Sequence, residues 1–290
     1  FQILGLKATD KTSSNCLQRL VYEPFFLWLI YIVSISTDLK IIKMIDIRLI
    51  DNLELMAEMQ DNTVDLIYCD ILYGTGRKFK DYQDLKPKRE IIEEHYIPRI
   101  KEMHRILKDT GSIYLQMDTR INHWMRILMD DIFGYGNFKN EIVWGYKTGG
   151  ASKKEFSKKH DCILFYTKTK NYYFENPREN KVYIDKSKGY DNNLEYKFDE
   201  IGEYTKGYFT DCFVLDNFST RYGRVAYQTN KPIKLIERFI KSSSREGDLV
   251  ADFYAGSFTT AEVCKDLNRN FIGCDISKKA VAIGLERTKY

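Results

Sequence analysis

Apolar positions along the chain follow two spacings. Short apolar runs rich in β-branched residues, such as 64–69, are typical of buried parallel strands. Longer stretches place apolar residues three and four positions apart and predict amphipathic helices; the clearest is 90–107, which we expect Gly111 to stop. The predicted strands are 44–50, 64–69, 112–117, 248–253 and 270–274, and the predicted helices are 53–59, 90–107, 122–133, 233–240, 260–267 and 278–288.

This alternation of strands and helices predicts an α/β fold built on a parallel sheet. Between 145 and 228, Tyr, Asn and charged residues follow no strong period, which predicts an inserted module of mixed strands and loops. Residues 1–43 also differ from the rest. Because the first methionine is Met44, we interpret them as a non-native or upstream-translated extension, with a signal peptide as the alternative.

Composition and charge exclude several classes of protein. The 290 residues are 43% hydrophobic and 30% charged, which excludes a disordered chain. No apolar run reaches the roughly 18 residues that a membrane span requires. The net charge of +4 does not by itself indicate a nucleic-acid partner. The six cysteines form no C-x-x-C pair, so we expect reduced thiols in a cytoplasmic protein and no metal site.

Four carboxylates follow predicted strands directly. They are Asp51, Asp70, Asp252 and Asp275. In open parallel sheets, ligands bind beyond the carboxyl ends of the strands, so we expect these acids to line a binding site.

The segment after Asp252 reads as a strand, a glycine turn and a helix start. Asp275 follows Gly256 by 19 residues, a spacing at which an acid reaches the ribose hydroxyls of a nucleoside cofactor. The full G-x-G-x-x-G pattern of a pyrophosphate loop is absent, which argues against a dinucleotide oxidoreductase. A nucleoside without phosphate, such as S-adenosylmethionine, needs less glycine.

Several motifs resemble those of the amino-group DNA methyltransferases. Residues 70–73, Asp-Ile-Leu-Tyr, resemble the family's D-P-P-Y motif, and 252–260 resemble its cofactor motif, D-x-x-x-G-S-G-T-T. Residues 229–232 resemble T-Q-K-P, and 140–144 and 159–161 also look like family landmarks. The catalytic motif precedes the inserted stretch and the cofactor motif follows it. This order is similar to the circularly permuted β group, and the resemblance covers 44–290.

The resemblance implies a fold and a division into domains. The fold is a Rossmann-like, S-adenosylmethionine-dependent methyltransferase fold, circularly permuted, in which the strand at 44–50 lies beside the strand that ends at Asp275. The expected ranges are an extension at 1–43, a catalytic half at 44–144, a target-recognition module at 145–228 and a cofactor-binding half at 229–290.

The resemblance also implies an activity, which is methyl transfer to adenine N6 in duplex DNA. Asp70 and the backbone carbonyl of Ile71 would accept hydrogen bonds from the amine, and Tyr73 would stack on the flipped base. Asp70 favours adenine, because the family usually carries Ser there for cytosine N4; a cytosine-N4 enzyme stays an alternative. A methyltransferase for RNA or protein amides shares the motif type, but the long insert argues against it.

The residues implied to hold S-adenosylmethionine are Asp51, Asn52, Asp70, Asn230, Lys231, Pro232, Asp252, Phe253, Ala255, Gly256, Ser257, Thr259, Asp275 and Ile276. Between 145 and 170, seven lysines stand against two acids, and such a stretch can neutralise phosphates. The candidate phosphate contacts are Lys147, Lys153, Lys154, Lys158 and Lys159. The partners implied are double-stranded DNA, a second copy of the chain and a cognate restriction endonuclease, with no membrane.

The chain departs from the family pattern at three motifs, one of which is Gln116-Met117-Asp118 in place of a common H-x-D ending. Ile71 and Leu72 replace two prolines, so we expect the catalytic loop to lose rigidity. Phe258 stands where the family has a glycine, and we expect its ring to occlude the cofactor pocket. Because of these departures, a catalytically impaired homologue that still binds DNA is a further alternative.

Overall fold

A computed structural model describes residues 44–79, 82–146, 153–176, 178–182, 204–208, 211–214 and 231–289. The predictions made for 1–43, Lys147 and Asn230 lie outside these residues. In the described ranges, no helix is both long enough and apolar enough to cross a membrane.

The described strands and helices alternate through most of the chain. The strands are β1 Ile45–Leu49, β2 Val64–Asp70, β3 Leu107–Met117, β4 Phe138–Gly145, β5 His160–Thr167, β6 Arg178–Val182, β7 Tyr204–Tyr208, β8 Cys212–Val214, β9 Leu249–Asp252 and β10 Asn270–Asp275. The helices are α1 Asn52–Glu58, α2 Arg89–Ile106, α3 Asn122–Phe133, α4 Ile233–Ser243, α5 Thr259–Asp266 and α6 Lys278–Arg287.

Eight of these strands form one sheet, in the order β1-β10-β9-β2-β3-β5-β4-β8. The first five in that order run parallel, and β5 runs antiparallel to both β3 and β4. β1 pairs with β10, so that Ile45 lies beside Phe271, as the resemblance implied. The predicted α/β fold with a parallel sheet is confirmed.

Helices cover both faces of the sheet, and the central strand β2 shows why. Its successive side chains point to opposite faces. Ile67 and Cys69 join the apolar cluster under α1, α2 and α3, whereas Leu66 and Tyr68 join the cluster under α4 and α5. A strand that is buried on both faces needs the continuous apolar run that the sequence has there.

Two details differ from the expectations. Helix α2 ends at Ile106, and Gly111 lies inside β3 instead of stopping the helix. A Cβ at Gly111 would lie 2.7 Å from Leu107 Cδ1, so a glycine suits the irregular first half of this strand. Strand β5 falls within 145–228 but pairs with β3 and β4 in the main sheet. The division into domains stays a prediction.

Candidate active site

A cleft opens at the carboxyl ends of the parallel strands. Its empty volume is about 1240 Å³, the open mouth included. The four acids predicted from strand ends, Asp51, Asp70, Asp252 and Asp275, all line it. The carboxyl ends of β1, β2, β9 and β10 therefore meet at one place, as expected for an open parallel sheet.

Most of the other predicted site residues line the same cleft. They are Asn52, Ile71, Tyr73, Lys231, Phe253, Ala255, Gly256, Ser257, Thr259 and Ile276. Pro232 does not line it; this proline is buried and precedes α4. The described lysines at 153, 154, 158 and 159 lie in the connection from β4 to β5, outside the cleft lining.

Asp70 stands at the end of β2 with a polar neighbour close to each carboxylate oxygen. Lys231 Nζ lies 2.5 Å from Oδ2, and the Tyr73 hydroxyl lies 2.9 Å from Oδ1. The same ammonium lies 5.2 Å from the centroid of the Tyr73 ring. Burial raises the pKa of Asp70 above its ordinary value, although the charge of Lys231 opposes this shift.

Hydrogen bonds hold the loop that follows Asp70. The Ile71 N–H donates to the Gln116 carbonyl at 3.0 Å, a bond that a proline could not make. The Tyr96 hydroxyl donates to the Leu72 carbonyl at 2.9 Å. Further along, the Asp84 carboxylate accepts the N–H groups of residues 74 and 75 at 3.1 and 2.7 Å. These bonds restrain the loop where the family has prolines.

The Phe258 ring does not enter the cleft, so the expectation that it occludes the pocket is wrong. Phe258 is fully buried with φ of 56°, in the left-handed region. Its ring packs against Phe271 and Gly284, away from the cleft. A Cβ at Gly284 would lie 2.6 Å from the ring, so the absence of a side chain at 284 makes room for it.

The glycine turn after β9 is fixed by two acids. The Asp275 carboxylate accepts the N–H of Gly256 at 3.0 Å, and Gly256 has φ of 51°. Beneath the turn, Asp252 accepts the Thr260 hydroxyl at 2.6 Å and the Tyr254 N–H at 3.1 Å. Burial raises the pKa of Asp252 to about 7. Asp252 therefore also holds the turn in shape.

A second polar group joins β1 to the rest of the cleft. Asp51 caps α1 by accepting the Leu53 N–H at 2.8 Å. The Asn52 amide donates to the Phe253 carbonyl at 3.1 Å and accepts from Arg99 Nε at 2.7 Å. Arg99, on α2, was not predicted from the sequence.

Other residues near the site were also missed. His95 lines the cleft beside Tyr254, with 3.0 Å between Nε2 and the hydroxyl oxygen, and burial lowers the pKa of His95 to about 4. Behind Tyr73, Asp161 accepts its hydroxyl at 2.6 Å and the Gln116 amide at 2.9 Å. The sequence offered one signal, since Asp161 belongs to a segment that resembles a family landmark.

Among the described residues, the lining of the cleft carries more negative than positive charge. Its cationic side chains are Lys231 and Arg99, whereas the half-buried His95, with its pKa lowered to about 4, is neutral near pH 7. The lining carboxylates are Asp51, Asp70, Asp84, Asp252 and Asp275. This charge attracts a ligand with a positive centre and repels a polyphosphate.

Comparison with known proteins gives related sequences. A family model described as "DNA methylase" matches residues 64–286. Type II methyltransferase M.BglII of Bacillus subtilis is 31% identical in an alignment of 249 residues that covers 81% of this chain and 66% of that protein. DNA adenine methyltransferase YhdJ of Escherichia coli (strain K12) is 30% identical in an alignment of 243 residues that covers 82% of this chain and 80% of that protein. The chain thus spans about two thirds of the length of the first relative.

Solved structures share the fold. PvuII DNA methyltransferase (cytosine-N4-specific) matches with a TM-score of 0.62 at 18% identity, covering 84% of this chain and 86% of that one. The M1.HpyAVI–SAM complex matches with a TM-score of 0.56 at 19% identity, covering 84% and 100%. At these identities the likeness shows the fold alone, which is the Rossmann-like methyltransferase fold.

Proposed function

The chain belongs to the DNA methylase family, and on that premise we propose that it transfers a methyl group from S-adenosylmethionine to adenine N6 in double-stranded DNA. The observation that carries the proposal is the place of Asp70. This carboxylate stands at the carboxyl end of β2, in the same cleft as the glycine turn at Gly256.

The cleft fits S-adenosylmethionine. When bound, this cofactor supplies a methyl group on a positively charged sulfur, and the excess of carboxylates in the cleft suits that charge. Gly256 and Asp275, on the turn and on β10, would hold the nucleoside, and Asp51 and Asn52 would lie at the adenine. A solved structure of the same fold is a complex with S-adenosylmethionine, which supports this choice of cofactor.

Three groups would act on the target amine. Asp70 and the Ile71 carbonyl accept hydrogen bonds from the amino hydrogens and so orient the nitrogen lone pair. Tyr73 stacks on the base after it leaves the duplex. Lys231 donates to Asp70 Oδ2 from above the Tyr73 ring, so the entering amine would meet the other oxygen, Oδ1. Positioning of the amine does most of the work of these residues.

The choice of adenine rests on Asp70, and a relative described as an adenine methyltransferase supports it. Cytosine N4 is the second candidate, because a solved structure of the same fold is specific for it. Mass spectrometry of nucleosides from methylated DNA separates the two. N6-methyladenine supports the proposal, and N4-methylcytosine in its place would refute it.

The connection from β4 to β5 would contact the duplex. Met117 pairs with Cys162, so this connection enters the sheet at the same edge as the cleft. Lys153, Lys154 and Lys158 are exposed there, and Phe156 between them is 100% exposed. Lysines position the DNA by its phosphates, and an exposed aromatic ring can stack on bases. A target-recognition module at 145–228, a homodimer and a cognate endonuclease remain proposals.

The catalytically impaired alternative is tested by activity. The bonds that restrain the loop after Asp70 and the inward turn of Phe258 support an active enzyme. The purified protein should incorporate labelled methyl groups from S-adenosylmethionine into duplex DNA. DNA binding without incorporation would instead identify an impaired homologue.

A further inference from the structure

Asp161 is a buried carboxylate beside the site. It stands near the start of β5, is 3% exposed and does not line the cleft. Three neutral groups donate to it, namely the Tyr73 hydroxyl at 2.6 Å, the Gln116 amide at 2.9 Å and the Tyr146 hydroxyl at 3.3 Å. Burying a carboxylate is costly. The burial of Asp161 beside the catalytic loop therefore indicates that this carboxylate has a specific role there.

The Tyr73 hydroxyl stands between two carboxylates but has one proton. Its oxygen lies 2.6 Å from Asp161 Oδ2 and 2.9 Å from Asp70 Oδ1. A phenol donates one hydrogen bond. The shorter contact is the charge-assisted hydrogen bond, so the proton points to Asp161. The contact with Asp70 then lacks a proton, and Oδ1 keeps its lone pairs for another donor.

Neighbouring residues hold the Asp161 carboxylate in the place where it accepts the Tyr73 proton. The Tyr68 hydroxyl donates to Gln116 Oε1 at 2.7 Å, which turns the amide nitrogen of Gln116 towards Asp161. The Gln116 backbone carbonyl accepts the Ile71 N–H. One residue of β3 thus orients Asp161 and also holds the loop that carries Tyr73.

We propose that Asp161 is a positioning residue for methyl transfer, which it serves by drawing the Tyr73 proton away from Asp70. This role rests on the proposed function. With the proton on the Asp161 side, Asp70 Oδ1 is available to accept a hydrogen bond from the target amine. Without Asp161, the Tyr73 hydroxyl turns to Asp70 and competes with the amine for the same oxygen.

The same arrangement accepts the proton that the reaction releases. The amine lone pair forms the new nitrogen–carbon bond, and the carbon–sulfur bond breaks with its electron pair left on sulfur. The nitrogen then carries one proton too many. Asp70 Oδ1 takes that proton, and the new O–H points to the Tyr73 oxygen, filling the contact that lacked one. The proton passes to water when the methylated base leaves.

A double-mutant cycle tests the role. The variants are Tyr73→Phe, Asp161→Asn and their combination, with Asp131→Asn, an exposed acid on α3, as the control. The measurement is the single-turnover methylation rate of duplex DNA at saturating cofactor, with cofactor affinity measured separately. Asp161→Asn should slow the step about 10- to 100-fold, as expected for a lost charged hydrogen bond, with cofactor affinity unchanged.

The methylation rate of the double variant, Tyr73→Phe with Asp161→Asn, gives the decisive result. If Asp161 acts through the Tyr73 hydroxyl, Asp161→Asn should slow the Tyr73→Phe protein by less than about threefold. Effects that multiply would show that Asp161 acts by another route and would overturn the proposal. So would an Asp161→Asn rate within about twofold of the Asp131→Asn control.

A measurement on the free protein separates this inference from the proposed function. In protein with ¹³C-labelled tyrosine, the Tyr73 Cζ resonance, assigned with Tyr73→Phe, should move in Asp161→Asn and stay in Asp131→Asn. If it does not move, the hydrogen bond is absent and the inference fails whatever the activity. If it moves but the native protein methylates no DNA, the proposed function fails and takes the catalytic role with it.

Discussion

The catalytic loop after β2 and the glycine turn after β9 both depart from the family pattern, and they are stabilised in different ways. At 71 and 72, apolar residues replace prolines, and hydrogen bonds restrain the backbone. At 258, a phenylalanine replaces a glycine, and its ring packs against Gly284, which has no side chain.

Each segment tolerates a substitution where its own function leaves room for one. The catalytic loop must present Asp70 and a backbone carbonyl at fixed places, so its restraint comes from directional bonds. The turn must present a backbone to a ligand on one side, while its other side faces an apolar core. A large side chain is tolerated on that second side because the core makes room for it.

The largest effect should come from the catalytic loop. Asp70→Ala should lower the single-turnover methylation rate at saturating cofactor about 10³-fold, because the amine loses its acceptor. Lys231 would be left without its carboxylate, so the matched control is Lys231→Met and its combination with Asp70→Ala. If Lys231→Met restored the rate of the Asp70→Ala protein, an unpaired ammonium would explain the loss.

The buried Asp252 beneath the glycine turn should make the free energy of unfolding depend on pH. The pKa of Asp252 is about 7 in the folded protein against an ordinary value of 3.8. The folded state therefore binds this proton more tightly than the unfolded state. The resulting stability is fully present below about pH 4 and is lost as the pH rises through about 7.

Asp252→Asn removes this titration. The free energy of unfolding of the native protein should fall relative to that of the variant between about pH 4 and 7, by about 3 kcal/mol. Denaturant unfolding of both proteins across this pH range measures the difference. Parallel profiles would mean that the Asp252 carboxyl does not titrate in that range.

The pair formed by Phe258 and Gly284 gives a steric test of the same region. Gly284→Ala should lower the free energy of unfolding by about 2 kcal/mol, since the new methyl would meet the Phe258 ring. In a Phe258→Ala background the same change should be neutral or stabilising, because alanine is favoured over glycine in a helix. Thermal unfolding of the native protein, the two single variants and the double variant gives the coupling free energy between the two positions. Equal costs in both backgrounds would show that the two residues do not interact.

Much of the cleft could be predicted from the sequence because it depends on local order. An apolar run followed by an acid identifies a strand and its carboxyl end, and parallel strands bring such ends together. Asp51, Asp70, Asp252 and Asp275 were found in this way. The direction of the Phe258 ring was not, because position in a motif does not give φ, and the left-handed backbone turns the side chain towards α6.

The polar group behind Tyr73 depends on pairing that the sequence does not reveal. Gln116 meets Asp161 because β5 inserts antiparallel between β3 and β4. The surrounding stretch is rich in Lys, Tyr and Gly and predicts an inserted module of mixed strands and loops, but it does not reveal that β5 joins the main sheet. Contacts that depend on the pairing of strands distant in sequence can be predicted only once the sheet topology is known.

The smallest effect tests whether hydrogen bonds restrain the catalytic loop in place of the prolines. Tyr96→Phe removes the donor to the Leu72 carbonyl and should lower the free energy of unfolding by about 1 kcal/mol, with a several-fold slower methylation rate. Tyr82→Phe, which removes a hydroxyl nearby in the cleft lining, is the control and should change neither quantity by as much. If the two variants behave alike, the Tyr96 bond does not restrain the loop, and the contrast with the turn at Phe258 would rest on Ile71 and Asp84.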